Sequence, residues 1–196
     1  MNVFVAGATG HLGKHTVSFL LKQNHVLQCL CRPGSEAKLE PVASKVKLIT
    51  GDALTPGPLV KQITPGSVFI HLVGGLARTK EDFWRLNFET AKNMTYLALA
   101  TDCPHFILVS AVGQIPFISS EYIKSKLAAE NYLKETDLNW TIFKPSGMMN
   151  WNSFFAFINF GLTAAAFLSR QKDKWAKRKL LPVETVAEAI TLVVGK

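Results

Sequence analysis

Asn2-Val-Phe-Val-Ala-Gly7-Ala-Thr-Gly10-His-Leu-Gly13 decides the fold, because a short apolar strand runs straight into a glycine-rich turn and then into a helix. Val3 to Ala6 are strand formers, and Gly7 can take the tight turn that other residues resist. Gly10 lets the backbone approach an anion with no Cβ in the way, and Gly13 lets the helix pack close to the strand. Val17, Leu20 and Leu21 continue an apolar helical face toward Gln23. Open N–H groups at that helix start would face a negative charge, so the stretch reads as a dinucleotide pyrophosphate cradle. Gly7, Thr9, Gly10, His11, Leu12 and Gly13 are its candidate contacts.

The rest of the chain repeats the alternation of strand and helix. Val26 to Cys31 forms a second strand ending at Arg32-Pro33-Gly34, and Lys45 to Thr50 a third ending at Gly51-Asp52. Ser67 to Val73 is nearly unbroken in apolar character, as a parallel strand covered on both faces should be, and it stops at Gly74-Gly75. A long helix follows with Trp84, Phe88, Ala91, Met94 and Ala98 spaced by three and four, and Asn87 set among them. Phe106 to Ser110 is a fifth strand, Glu121 to Lys134 a helix, and Trp140 to Phe143 a sixth strand closing at Pro145. Six strands separated by helical segments predict an α/β fold with a doubly wound, Rossmann-like parallel sheet, one domain over residues 1–196. The ligand is then expected at the carboxyl ends of the strands, where Gly7, Arg32, Asp52, Gly74, Ser110 and Pro145 collect.

Composition narrows the class. The 196 residues are 48% hydrophobic and 18% charged, which suits a single folded domain and excludes disorder. Cys29, Cys31 and Cys103 make an odd count, and the first two sit one pleat apart on the same face, a poor arrangement for a bridge, so a reducing compartment such as the cytoplasm or an organelle matrix is expected. No charged-then-apolar leader precedes the first strand, which predicts a chain without a signal peptide. The net charge of +8 is largely local, crowded into Arg170, Lys172, Lys174, Lys177, Arg178 and Lys179. A nucleic-acid module would interleave such residues with stacking aromatics, so no nucleic-acid partner is expected. Neither is a metal, since the histidines and cysteines lack paired ligand spacings. His71 reads as a packed core histidine.

The second strand end addresses which dinucleotide is held. A cofactor without a 2′-phosphate is usually gripped there by an acidic side chain, whereas this chain has Arg32, whose guanidinium suits the phosphate of NADP. NAD is the alternative cofactor, and a plain solvated surface arginine is the alternative reading of Arg32. Asp52 can accept from the adenine amino group or serve as a helix N-cap before Ala53-Leu54. Tyr122 and Lys126 stand four apart, which on a helix puts phenol and ammonium on one face. A lysine charge beside the phenol is expected to lower its pKa, so that Tyr122 can exchange a proton with a carbonyl or alcohol.

These residues together resemble a short-chain dehydrogenase/reductase of the atypical or extended kind, over essentially the whole chain. The resemblance is carried by Gly7-Ala-Thr-Gly10-His-Leu-Gly13, Gly51-Asp52, Val109-Ser110-Ala111, Tyr122 with Lys126, Trp140-Thr-Ile-Phe-Lys-Pro145-Ser, and Pro182-Val-Glu-Thr-Val-Ala-Glu-Ala. Within that superfamily the chain is most similar to the NADPH-holding accessory subunit of respiratory complex I and relatives linked to coenzyme Q synthesis. The resemblance implies NAD(P) in the strand-end crevice, with Tyr122 as general acid and base, Lys126 on the nicotinamide ribose and Ser110 polarising the substrate. It also implies Ala53, Val73, Gly74, Asn87 and Pro145 as further cofactor contacts. Two departures stand out. Many extended members place the working hydroxyl where this chain has Ala111 and Val112, with Ser119 or Ser120 as stand-ins, and only Met148 to Leu181 remains for a substrate region.

That region is rich in Trp151, Phe154, Phe155, Phe157, Phe160 and Phe167, yet is too short and interrupted for a membrane span, which needs about 20 apolar residues. Core helices, a partner or homodimer surface, and an apolar face dipping into an anionic membrane are its three readings. The expected function is an NADP-dependent oxidoreductase or isomerase acting on a small or lipid-like carbonyl compound. The alternative is a non-catalytic NADP-binding redox sensor, or a stabilising subunit of a respiratory or quinone-synthesis assembly.

Overall fold

A computed structural model describes residues 1–112, 119–145, 148–149 and 181–196. Six parallel strands form one sheet in the order β3-β2-β1-β4-β5-β6: β1 Asn2–Ala6, β2 Val26–Cys31, β3 Lys47–Thr50, β4 Val68–His71, β5 Phe106–Val109 and β6 Trp140–Phe143. This is the doubly wound arrangement the alternation predicts, with the order reversing between β1 and β4. A short parallel pair, β7 Met148–Met149 and β8 Leu181–Pro182, stands apart from it. The expected substrate or membrane stretch between these two strands lies outside the described residues.

Both faces of the sheet are covered. Alternate residues of each strand point to opposite sides, so Val3, Val5, Val68, Ile70 and Ile107 meet α1 (His11–Lys22) and α5 (Val183–Thr191). Phe4, Phe69 and Phe106 point the other way, beneath α3 (Thr90–Ala100) and α4 (Ser120–Lys134). All three phenylalanines are fully buried, each contributing about 2 kcal/mol of transfer free energy. Cys29 and Cys31 share the α1 side of the core as unbridged thiols, and burial pushes Cys29 up to about 12.

Several local expectations shift. The crossovers flanking β3 are 3-10 turns, Glu36–Lys45 and Gly57–Gln62, rather than regular helices, and in the first of them Pro41 removes an N–H that a continuous helix would use. The first of these turns reaches Lys45, so β3 begins two residues later than the apolar pattern suggests. β4 ends at His71: Leu72 N–H still bonds the Ala6 carbonyl, and then Gly74 at φ +150° turns the chain off the sheet. The single long helix is also interrupted. A five-residue helix α2 (Lys80–Trp84), capped by Thr79 Oγ1 on Asp82 N–H, passes through a π turn at Arg85–Glu89 before α3 begins. In that turn Asn87 faces inward and is 1% exposed, and π turns of this kind occur often at functional sites.

Candidate functional site

The ends of β1 to β4 enclose a cleft of about 630 Å³. Its floor is the turn after β1. Gly7 sits at φ +91°, and a Cβ there would come within 2.9 Å of backbone atoms of Leu72 and Val73. Gly10 N–H bonds the Gly7 carbonyl at 3.0 Å and Gly10 forms the N-cap of α1 without any side-chain cap. The first-turn amides of α1 therefore open at the cleft with no capping side chain, the arrangement that binds an anion through N–H groups and the positive end of the helix dipole. Gly13 is buried against this turn, where a Cβ would collide with the backbone of Gly7 and Ala8.

Around that floor the structure brings together Gly7, Thr9, Gly10, Arg32, Asp52, Ala53, Val73 and Gly74. Arg32 is exposed on the cleft wall just past β2, with its guanidinium available to an anion. Asp52 also lines the wall, and Oδ1 accepts from Leu54 N–H at 2.9 Å; no helix starts there, so this oxygen closes a local turn rather than serving as the expected helix N-cap. The Ala53 carbonyl is pinned to α3 by Asn93 Nδ2 at 3.0 Å. Among the cleft residues unforeseen in the sequence are Leu76, Asp82 and Arg85. They reach it only because the π turn and the loop after β4 fold back over the strand ends, which apolar spacing does not encode.

Other expected contacts lie beside or behind the cleft. Leu12 is buried in the core, and the His11 ring lies against His15, 5.4 Å between centroids, while His15 meets Glu184 of α5. Desolvation and the neighbouring His15 hold His11 below its ordinary value. Asn87 is a clamp on the loop: Oδ1 accepts from Gly75 N–H at 2.9 Å, and Nδ2 donates to the carbonyls of Gly75 and Phe83. Its amide shapes the cleft wall rather than lining it. Pro145 lies at a separate hollow with Phe143 and Leu181.

On α4 the expected pair is present and differently employed. Lys126 is 6% exposed, donates to the Val109 carbonyl at 3.1 Å, and its ammonium stands immediately behind Gly74 beside Asn87 Oδ1. Burial lowers it to about 8, against an opposing pull from Glu130. Tyr122 packs edge-on against Phe83 of α2, with centroids 6.3 Å apart. The expected lowering of the phenol by the lysine does not occur in this geometry: burial pushes Tyr122 above its ordinary value. The Ser110 hydroxyl is buried and donates to Glu130 Oε1 at 2.6 Å. A substrate oxygen would compete with a carboxylate for that proton. Glu130 is the residue that sequence reasoning missed, although its place one helical turn beyond Lys126 was a usable signal.

Comparison with known proteins agrees with this geometry. The chain is 34% identical to the ceramide reductase of Caulobacter vibrioides over 73% of its own length and 45% of that protein's. It is 29% identical to the photosystem II assembly factor Ycf39 of Cyanophora paradoxa over 75% of its length and 46% of that protein's. The chain thus spans about half the length of these curated relatives. In fold it matches the crystal structure of the Bordetella bronchiseptica enzyme WbmH in complex with NAD+, with a TM-score of 0.74 at 17% identity over 98% of this chain and 71% of that one. Residues 7–190 match the sequence model of the NAD(P)H-binding family, and the chain belongs to that family, an atypical short-chain dehydrogenase/reductase branch with a Rossmann-like fold.

Proposed function

We propose that the chain is an NADP-dependent oxidoreductase, or a related isomerase, whose substrate is a small or lipid-like carbonyl compound. The observation that carries this reading is the pairing of an uncapped α1 N-terminus with Arg32 on one cleft, backed by Lys126 behind Gly74. The α1 amides would hold the pyrophosphate and Arg32 the 2′-phosphate that distinguishes NADP from NAD. When bound, the nicotinamide supplies or accepts a hydride. Tyr122 is the general acid and base: its phenol is protonated at neutral pH and would give that proton to a carbonyl as the hydride arrives. Lys126 fixes the ribose side of the site. A lipid-like substrate is supported by the likeness to a ceramide reductase. The three buried free thiols support a reducing compartment, cytoplasm or organelle matrix.

A second reading has its own observation. Ser110 is engaged by Glu130 and the Tyr122 phenol is not activated by Lys126, which suits a non-catalytic NADP-binding module. The likeness to a photosystem assembly factor supports a role as a stabilising or assembly subunit, while none of the relatives named above is a respiratory or quinone-synthesis protein, so that setting rests on the sequence resemblance alone. Peripheral attachment to an anionic membrane belongs to either reading and is tested by vesicle co-sedimentation. No helix among the described residues is long and apolar enough to cross a membrane.

Calorimetry with NADPH and NADH tests the cofactor assignment. NADPH is expected to bind at least tenfold more tightly, with the preference lost in Arg32→Ala, a change of about 1.4 kcal/mol. Equal affinities for the wild type would remove the phosphate argument. Tyr122→Phe separates the two readings, since it is expected to abolish NADPH consumption with a carbonyl substrate while leaving NADPH affinity unchanged. Turnover that survives the substitution rules out the acid and base role.

A further inference from the structure

The face of α4 that carries Tyr122 and Lys126 continues for another turn to Glu130, whose side chain is 1% exposed. A carboxylate removed from water persists only where partners replace its hydration, and here they arrive from three elements. Ser110, just past β5, donates to Oε1 at 2.6 Å; Lys144, just past β6, stands 2.5 Å from Oε2; and Lys134, from the next turn of α4, stands 3.6 Å away. Lys126 grips the same strand end one residue earlier, through the Val109 carbonyl. The ends of β5 and β6 are therefore tied to α4 by one carboxylate and one ammonium, four residues apart.

The surroundings of Lys126 give that carboxylate a second consequence. No carboxylate pairs directly with the Lys126 ammonium among the described residues. From β4 it faces His71, whose protonation it opposes, and from the loop it faces the uncharged Asn87. From its own helix the opposite charge that reaches it is that of Glu130, which the cations Lys134 and Lys144 partly offset. We propose that Glu130 is a positioning residue of the cofactor site, which ties β5 and β6 to α4 and holds Lys126 as an ammonium aimed at the cleft wall behind Gly74. This rests on the reading of Lys126 as the ribose-holding group. Ser110 then acts through Glu130, as part of the support, and not on the substrate.

Lysine NMR on the full chain, with the side-chain ε-carbons labelled and no cofactor added, tests the proposal. The resonance lost in Lys126→Arg identifies Lys126, and in the wild type it should titrate near pH 8. Glu130→Gln keeps the shape and an oxygen to accept from Ser110 but removes the charge. Lys126 is then expected to bind its proton about tenfold more weakly. Lys144→Met, on a half-exposed side chain, removes an opposing cation and is expected to move the midpoint upward, which keeps the test decisive if Glu130→Gln does not fold. In Glu130→Gln, the fall of NADPH affinity with rising pH, measured by calorimetry, is expected to begin about one pH unit below that of the wild type. A purely structural role would lower the melting temperature and leave the Lys126 midpoint in place. Unmoved midpoints in the folded variants overturn the proposal. Failure of the wild type to bind NADPH overturns the cofactor reading instead, and the cofactor-free titration tells the two failures apart.

Discussion

Where β1, β2, β3 and β4 end, the chain turns aside and leaves a cleft whose floor is backbone and glycine; where β5 and β6 end, α4 closes the edge with buried side chains paired to one another. The first region has its donors in place before any ligand arrives. Backbone amides at a helix tip have fixed geometry, so an anion that settles there orders little that is not already ordered. The second region is engaged with itself. The Ser110 hydroxyl, the Lys126 ammonium and the Glu130 carboxylate each have a partner or an opposing charge within the protein, and a substrate must compete with those contacts. On the proposed reading, the backbone would hold the dinucleotide and the side chains would tune the chemistry. Binding can therefore outlast catalysis, which is why oxidoreductase and binding module are the two readings to separate.

The largest effect expected from this contrast concerns Gly13. A Cβ at Gly13 would stand 2.7 Å from Ala8 backbone atoms and closer still to the Gly7 carbonyl, and backbone in a tight turn cannot retreat. Gly13→Ala is expected to cost about 3 kcal/mol or more, read as a shift in the urea midpoint. Gly74→Ala belongs to the other region. Its Cβ would meet side-chain ends, Lys126 Nζ and Asn87 Oδ1, which can yield at the cost of their own hydrogen bonds, rather than the backbone. Even at φ +150° its cost is expected to be the smaller, about 1–3 kcal/mol. A reversed order would mean that the backbone floor yields more readily than the side-chain wall, and the distinction between the regions would fail.

The same contrast explains what could be read in the sequence. The backbone-built region was legible because its signals are local: Gly7, Gly10 and Gly13 at fixed spacing between an apolar strand and a helix leave few other conformations, and Arg32 follows from knowing where β2 stops. β2 and β6 are bounded as their apolar runs suggest. The side-chain-built region was legible only in outline. The spacing of Tyr122 and Lys126 put them on one helix face, but whether a lysine charge reaches a phenol depends on rotamers and neighbours. Lys126 turned toward Val109 and Gly74, and Tyr122 toward Phe83. Ser110 was assigned from its place after β5, whereas its partner Glu130 lies 20 residues on, and although its spacing from Lys126 marks the helix face, its pairing with Ser110 exists only where β5 packs beneath α4. Asn87 shows the same limit, since its amide reaches Gly75 through a π turn that regular helical spacing does not anticipate.

The boundary between the regions can be probed by acid. His71 ends β4 at the seam between cleft and α4, is 1% exposed, and has neither ring nitrogen hydrogen-bonded among the described residues. Burial, with the Lys126 charge adding to it, depresses the imidazole to about 3. The folded protein therefore holds His71 neutral, while the unfolded chain takes up a proton below its ordinary value of about 6.5. The stabilisation is complete above pH 6.5 and drains away as pH falls toward 3, by at most about 1.4 kcal/mol per pH unit. His71→Leu is expected to flatten that acid limb in urea midpoints taken from pH 7 down to 4. An acid limb of unchanged slope would show that the seam carries no proton-linked stability.

The smallest effect on the fold, and the sharpest on function, is expected at Gly10. A Cβ there approaches only the Gly7 carbonyl, at 3.2 Å, a contact that a shift of a few tenths of an ångström relieves. Its backbone, at φ −74° and ψ 173°, is one any residue can adopt. Replacing glycine by alanine at an N-cap costs about 1 kcal/mol or less, so Gly10→Ala should fold with nearly the wild-type urea midpoint. The added methyl nevertheless stands at the mouth of the α1 amides, where a pyrophosphate has to approach the backbone. NADPH affinity by calorimetry is expected to drop about tenfold, equivalent to about 1.4 kcal/mol, a loss larger than the loss in stability. Gly13→Ala should show the opposite proportion, because Gly13 packs the helix onto the turn and lies behind the anion site. If Gly10→Ala bound NADPH as well as the wild type does, the helix tip would not be where the diphosphate rests, and the cleft would have to hold its ligand chiefly through Arg32 and the loop after β4.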